Sequence, residues 1–201
     1  MLYWVGRALF RLFFRVFCRW QVVGAENCPG SGPVILAPNH ISYLDPPAAG
    51  CAVPQPVWFM AKHELFKIPL LGPILPRVHA FPVRRGAPDR AALRHAEALL
   101  REGKTVVLFP EGARRFDGRL GDPEPGVAFI ALRTRAPVVP VVLVGTDRAL
   151  PRHSVLPRPA RVEVRLGRPI GLSDLYHRRV DRSALDEAGR RIMAGLRNLL
   201  N

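Results

Sequence analysis

Acidic residues are scarce in this chain: 16 Asp and Glu stand against 30 Lys and Arg in 201 residues, a formal net charge of +14. An excess of that size calls for an anionic counterpart, and nucleic acid, an anionic membrane and an acidic carrier protein can each supply one. Cysteine is nearly absent too. Cys18, Cys28 and Cys51 are odd in number and lack paired ligand spacing, which argues against a complete disulfide framework and for a reducing compartment. The chain has no internal repeat, long linker or low-complexity tail. It has no G-x-S-x-G segment, so no covalent serine step is announced. No zinc finger or RNP-like aromatic signature accompanies the arginines, so nucleic acid is not expected as a partner. What is present is 48% hydrophobic residues with 23% charged, a folding composition long enough for one domain with a sizeable core.

The first 20 residues, "MLYWVGRALFRLFFRVFCRW", are apolar and aromatic except for Arg7, Arg11, Arg15 and Arg19. At four-residue spacing on a helix these arginines form one slowly drifting stripe. A spanning helix is disfavoured, since an arginine near the bilayer centre costs roughly 2.5–3.5 kcal/mol. A signal peptide is disfavoured as well, because arginines interrupt the apolar region. The reading that remains is an amphipathic helix over 1–20 lying in a membrane interface, with its arginines on anionic head groups. The alternative is a helix packed on the domain with its Arg stripe in water.

Beyond it, 34–38, 56–62, 78–83, 105–109 and 138–145 read as apolar strands, the last interrupted by Pro140. Residues 161–167 alternate as a half-exposed strand does. Residues 63–75 read as a helix or broken helix, 126–135 as a helix, and 181–200 as a terminal amphipathic helix. The clearest helix is 89–103, with Asp89 as N-cap and Gly103 just past its end. This alternation predicts an α/β fold: a single domain over 21–201, with a largely buried central sheet flanked by helices.

Chemistry can sit first in "APNHISYLDPP", residues 37–47. His40 and Asp45 are five positions apart, about 140° on a helix of ~3.6 residues per turn, so they meet only if the chain turns between them. A His–Asp pair suits deprotonation of a hydroxyl, because the carboxylate fixes the tautomer and stabilises the imidazolium. Asp45 before Pro46 equally reads as a helix N-cap, which leaves His40 an ordinary turn residue. In "LFPEGARRFDG", 108–118, Gly112 permits close backbone approach and Arg114 and Arg115 offer forks for phosphate oxygens. Glu111 there can accept from a hydroxyl or orient an arginine. A solvated turn is the competing reading. "AFPVRRG", 80–86, is weak alone, and "APVVPVVLVG", 136–145, reads most simply as core.

Taken in order, "NHISYLD", "FPVRRG", "FPEGARR" and "APVVPV" resemble the four motifs of the glycerolipid acyltransferase family, and within it the lysophosphatidic acid acyltransferases. "FMAKHELFKIPLLGPIL" resembles the segment between their first two motifs, and the resemblance covers roughly residues 20–170. It implies that His40 is a general base with Asp45 its partner. It implies that Arg84, Glu111, Gly112 and Arg114 bind the acceptor, and it matches Pro140 to the fourth motif, a possible wall for an acyl chain. The implied reaction moves an acyl group from acyl-CoA or acyl carrier protein to the free sn-2 hydroxyl of 1-acyl-sn-glycerol-3-phosphate, giving phosphatidic acid. No metal or bound cofactor is expected. The enzyme is expected on the cytoplasmic face of the cell membrane, peripheral or monotopic. Ala113 and Arg115 depart from the commoner E-G-T-R-S pattern, removing a hydroxyl and adding a charge, so other acceptors (glycerol-3-phosphate, another lysophospholipid, a glycolipid) stay open. So do hydrolysis and a binding-only basic protein.

Overall fold

Runs of β-branched residues set the strands, and capped segments with an apolar stripe set the helices between them. The computed structural model describes residues 1–84, 89–115 and 119–201. The chain opens with α1 (Leu2–Phe17), β1 (Gln21–Val23), β2 (Val34–Pro38), α2 (Asp45–Ala52) and β3 (Val57–Lys62). It continues with α3 (Leu71–Arg77), β4 (Ala80–Val83), α4 (Arg90–Arg101), β5 (Thr105–Val107) and α5 (Pro125–Thr134). β6 (Val138–Val144), α6 (Thr146–Ala149), β7 (Glu163–Leu166) and α7 (Arg182–Leu200) complete it.

The strands form one mixed sheet in the order β1-β7-β6-β2-β5-β3-β4. From β6 to β4 all neighbours are parallel; β7 runs antiparallel to β6, and β1 parallel to β7. Central β2 is buried at every residue, as a parallel strand covered on both faces must be. Its alternate residues serve two cores: Val34 and Leu36 join α1 and α2, while Ile35 and Ala37 join α4, α5 and α7. The α/β class with a buried sheet flanked by helices is therefore as expected. Because β2, β3, β4, β5 and β6 are parallel, the loops that follow them leave along one edge, where open α/β sheets place their ligands.

Three local features differ from the sequence reading. β1 carried no pattern of its own and forms by pairing with β7 through Val22↔Val164. Residues 63–75 divide into a 3-10 turn, His63–Lys67, and α3, with Leu70 at φ 68° between them. Pro140 does not interrupt β6. Its carbonyl accepts from Gly167 N–H at 2.9 Å, one residue past the end of β7. The missing proline N–H thus points to the side where the antiparallel ladder has already stopped.

The arginine stripe of α1 also differs. Arg7 is 6% exposed and turns into the protein, donating to the carbonyls of Val53, Pro54 (2.8 Å) and Gln55 (3.3 Å) just past α2. Arg11 follows it to Cys51 O at 3.2 Å. The reason lies in α2: its last carbonyls lack intrahelical donors and sit at the negative end of the helix dipole, so cations are drawn there. Burial holds the Arg7 guanidinium below its ordinary pKa and pushes the neighbouring Cys51 thiol up to about 11. With Arg7, Tyr3 and Phe14 inward, Trp4, Leu9, Leu12, Val16 and Phe17 are left between 53% and 66% exposed. All three cysteines are buried and free. Among the described residues no helix is long and apolar enough to cross a membrane.

Candidate active site

The loop after β2 contains the pair the sequence singled out. His40 Nδ1 lies 2.8 Å from Asp45 Oδ2. The turn that brings them together is built on the same carboxylate: Oδ2 accepts the N–H of Ile41 at 2.6 Å and of Ser42 at 2.7 Å. Asp45 is thus not a helix cap. Leu44 holds the N-cap position, without a side-chain bond, and Asp45 is the first helical residue, its side chain directed back along the chain. Thr146, at the start of α6, donates its hydroxyl to Asp45 Oδ1 at 2.6 Å. An oxygen already facing two amide hydrogens cannot itself carry a proton toward His40, so Nδ1 is the donor and Nε2 keeps its lone pair. The face of the imidazole stacks on Phe109, ring centroids 3.9 Å apart and planes 25° from parallel.

Neighbouring strands lock this loop in place. Asn39 exchanges two hydrogen bonds with the Leu143 backbone of β6, at 3.1 and 2.7 Å. Ser42 Oγ donates to Leu150 O at 3.2 Å. Glu111, from the loop after β5, accepts His40 N–H on one oxygen at 3.0 Å and Gly121 N–H on the other at 2.9 Å. Its carboxylate therefore ties the two loops together. Gly112 has φ +66°, and a Cβ there would meet Glu124 Cγ at 2.7 Å, so both torsion and space require glycine.

Arg114 sets its guanidinium over the Tyr43 ring, 3.5 Å from the centroid, beside the His40 loop. Arg84 is exposed just after β4, three strands from β2, or about 14 Å at ~4.8 Å per strand. Its backbone N–H donates to Asp89 Oδ2 at 2.9 Å. Pro140 sits farther in, its ring on the side of Gly167 and of Gly195 on α7. Arg85 and Gly86 of the second motif, and Phe116, Asp117 and Gly118 of the third, lie outside the described residues.

Next to the loop an open cavity of about 610 Å³ is lined by Asn39, Glu111, Arg115, Arg119, Arg148 and Arg152, among others. A smaller one of about 300 Å³, between Trp58, Phe66, His79 and His95, lies along β3 and β4 away from the His40 loop. The larger one borders the His40 loop through Asn39, Ile41 and Glu111, while His40 and Arg114 themselves do not line it. Among the described residues no group of three or more His, Cys, Asp or Glu side chains is placed to hold a metal.

With this geometry in hand, the comparisons are specific. The model of the Acyltransferase family matches residues 19–144, more than half of the chain. The chain belongs to the glycerolipid acyltransferase family. A chloroplastic 1-acyl-sn-glycerol-3-phosphate acyltransferase of Brassica napus is 35% identical over 141 residues, covering 69% of this chain and 41% of that one. The 1-acyl-sn-glycerol-3-phosphate acyltransferase of Bacillus subtilis is 29% identical over 158 residues, covering 78% and 76%. The crystal structure of a 1-acyl-sn-glycerophosphate acyltransferase from Thermotoga maritima superposes with a TM-score of 0.75 at 28% identity, covering 94% of this chain and 74% of that one. The chain spans about two fifths of the length of the chloroplastic relatives from Brassica napus and Arabidopsis thaliana. The family match includes His40, Asp45, Arg84, Glu111, Gly112, Arg114 and Pro140 and stops short of Thr146.

Sequence reasoning missed Thr146, Asn39, Ser42 and Phe109. Only Phe109 carried a usable signal, an aromatic ring at the end of a strand entering a motif loop. Thr146 lies 101 positions from its Asp45 partner, and nothing local in "VGTDRA" announces the contact.

Proposed function

We propose that this acyltransferase moves a fatty acyl group from acyl-CoA or acyl carrier protein to the free sn-2 hydroxyl of 1-acyl-sn-glycerol-3-phosphate at an anionic membrane surface, forming phosphatidic acid. The observation that carries the reading is the 2.8 Å His40–Asp45 pair with its carboxylate oxygen saturated by amide donors. His40 Nε2 takes the hydroxyl proton as the acceptor oxygen bonds to the thioester carbonyl carbon. Asp45 stabilises the imidazolium. When the C–S bond breaks, the thiolate leaves and takes the proton from His40, so the enzyme returns unchanged. Base assistance of this kind contributes about 10²–10⁴ in rate, and positioning supplies much of the remainder.

Arg84 and Arg114 contact the acceptor phosphate, Glu111 and Gly112 shape the loop that presents Arg114, and Pro140 backs the sheet beneath the acyl region. Residues 1–20 hold the 21–201 domain on the cytoplasmic face of the membrane through the apolar side chains that α1 leaves exposed. Leu70 and Ile74 are also exposed, at 85% and 43%, and Val78, just past α3, lies 3.9 Å from where a Cβ on Gly6 of α1 would sit. A net charge of +14 suits both the anionic lipid and an anionic donor.

The test is thioester cleavage by the purified protein, with acyl-CoA and acyl carrier protein as separate donors. Each is run with and without 1-acyl-glycerol-3-phosphate, beside a His40→Ala control. Acceptor-dependent thiol release that yields a diacyl product and vanishes in the variant is the expected result. Release without acceptor would assign hydrolysis instead.

A further inference from the structure

Between α6 and β7 the chain makes an excursion, residues 150–160, whose tip puts two apolar side chains into solvent: Val155 is 92% exposed and Leu156 72%. The surrounding sequence is "RALPRHSVLPRPARV", 148–162, with Arg148, Arg152, Arg158 and Arg161 and no Asp or Glu. An apolar tip flanked by arginines is costly in water and suits an anionic bilayer surface, where each basic residue contributes about 1 kcal/mol.

The backbone at the tip is prepared for a drier medium. Ser154 N–H closes a turn onto Pro151 O at 3.0 Å. The Ser154 hydroxyl then serves both backbone groups of Leu156, accepting its N–H at 3.3 Å and donating to its carbonyl at 2.7 Å. Pro151, Pro157 and Pro159 have no N–H to desolvate. Together with the Arg158 N–H, which donates to Ala149 O at 2.8 Å, these bonds satisfy part of the tip's polar backbone within the protein and lower the cost of entering the partly dehydrated headgroup layer.

Both ends of the excursion are tied to elements already described. At its start Leu150 O accepts from Ser42 of the His40 loop at 3.2 Å. At its end Ala160 pairs with the residues after α1: Arg19 N–H donates to Ala160 O at 3.0 Å, and Ala160 N–H to Phe17 O at 3.4 Å. Phe17 and Val16 are themselves exposed. The excursion thus links the catalytic loop to the end of the apolar helix.

We propose that residues 151–159 are a second lipid contact, in which Val155 and Leu156 enter the headgroup region of an anionic membrane while Arg158 meets lipid phosphate. This rests on the reading that the enzyme works at a membrane surface. It adds that the mouth of the site is held on the lipid by a loop as well as by α1, so the acceptor reaches His40 from the layer in which it resides.

The test is an environment-sensitive fluorophore on Leu156→Cys, with the same label on Arg94→Cys as a control on the far face of α4. Burial of Cys18, Cys28 and Cys51 restricts labelling to the new site. With vesicles of equal parts phosphatidylglycerol and phosphatidylcholine, the label at position 156 blue-shifts and is quenched by nitroxide lipids, while that at 94 is unaffected. Val155→Ser/Leu156→Ser, an exposed pair whose loss leaves folding intact, weakens vesicle binding at least about tenfold, as expected for losing about two or more buried methylene groups. An unshifted 156 label, or undiminished binding of the double variant, in protein that still co-sediments with vesicles overturns the loop contact and leaves the membrane reading standing. Failure of the unaltered protein to co-sediment overturns both.

Discussion

The His40 loop buries a carboxylate completely, Asp45 at 0% exposure, whereas α1 leaves Leu12 and Val16 59% and 66% exposed and buries Arg7. Each region reverses the usual placement of polar and apolar groups. In the loop every Asp45 partner is a donor at hydrogen-bond distance, so the buried charge is compensated within the protein. In α1 the buried guanidinium is compensated by carbonyls at the end of α2, while the apolar face lacks any cover that the domain provides. One reversal is self-contained and points to chemistry; the other is unfinished and points to a different solvent.

The largest effect falls on the self-contained side. His40→Ala should lower acyl transfer by about 10²–10⁴, measured by thiol release, in a protein that stays folded by circular dichroism with its thermal midpoint lowered by the loss of one donor to buried Asp45. A variant that keeps its rate would separate the pair from the chemistry. Next comes Arg7→Leu, which strips several carbonyls of their charged donor and should cost about 3 kcal/mol of stability by denaturant titration. Little change would mean that α1 docks through its apolar contacts alone. Thr146→Val removes one of the donors on Asp45 and should cost about 1–2 kcal/mol, with kcat falling more than KM. A rise in KM with kcat unchanged would place Thr146 on substrate.

The docking of α1 should also depend on pH. His79 is stacked between Tyr3 of α1 and Trp58, centroids 4.3 Å away on each side, and burial lowers its pKa from the ordinary value of 6.5. The unfolded state therefore binds a proton that the folded state refuses. Stability from this site is fully present above the unfolded pKa and is lost as pH falls below it toward the folded pKa. Melting points measured downward from neutral pH should decline through this range. The decline should be smaller in His79→Asn, a residue that tolerates the φ of 66° at this position. The smallest stability effect belongs to the exposed face. Leu9→Ser, Leu12→Ser and Val16→Ser should each shift stability by less than about 0.5 kcal/mol while reducing vesicle binding, and a large loss of stability would mean that this face packs on protein.

Much of the scaffold was legible locally. Asp89 accepts from the N–H groups of Ala91 and Ala92, as a cap ahead of a periodic helix should. Burial alternates along β7, and β2 and β6 were readable as apolar runs. These features follow from torsional preference and side-chain period, which a short window contains. The motif residues were legible because their order is specific to a family, but the same window read Asp45 equally well as a helix cap.

What the sequence by itself determined is most of the elements, though not β1 or α6, together with the α/β class and the identity of the residues around His40. Only the tertiary structure decided which way α1 faces, since a period of ~3.6 defines two stripes without saying which meets protein, and the unsatisfied carbonyls after α2 made that choice. It also decided the support of the site. Asn39 reaches Leu143, Glu111 reaches His40 and Thr146 reaches Asp45 across 104, 71 and 101 positions. Such contacts depend on the order of strands in the sheet, which has no local signature, because β6 and β5 become neighbours of β2 only when the whole sheet assembles.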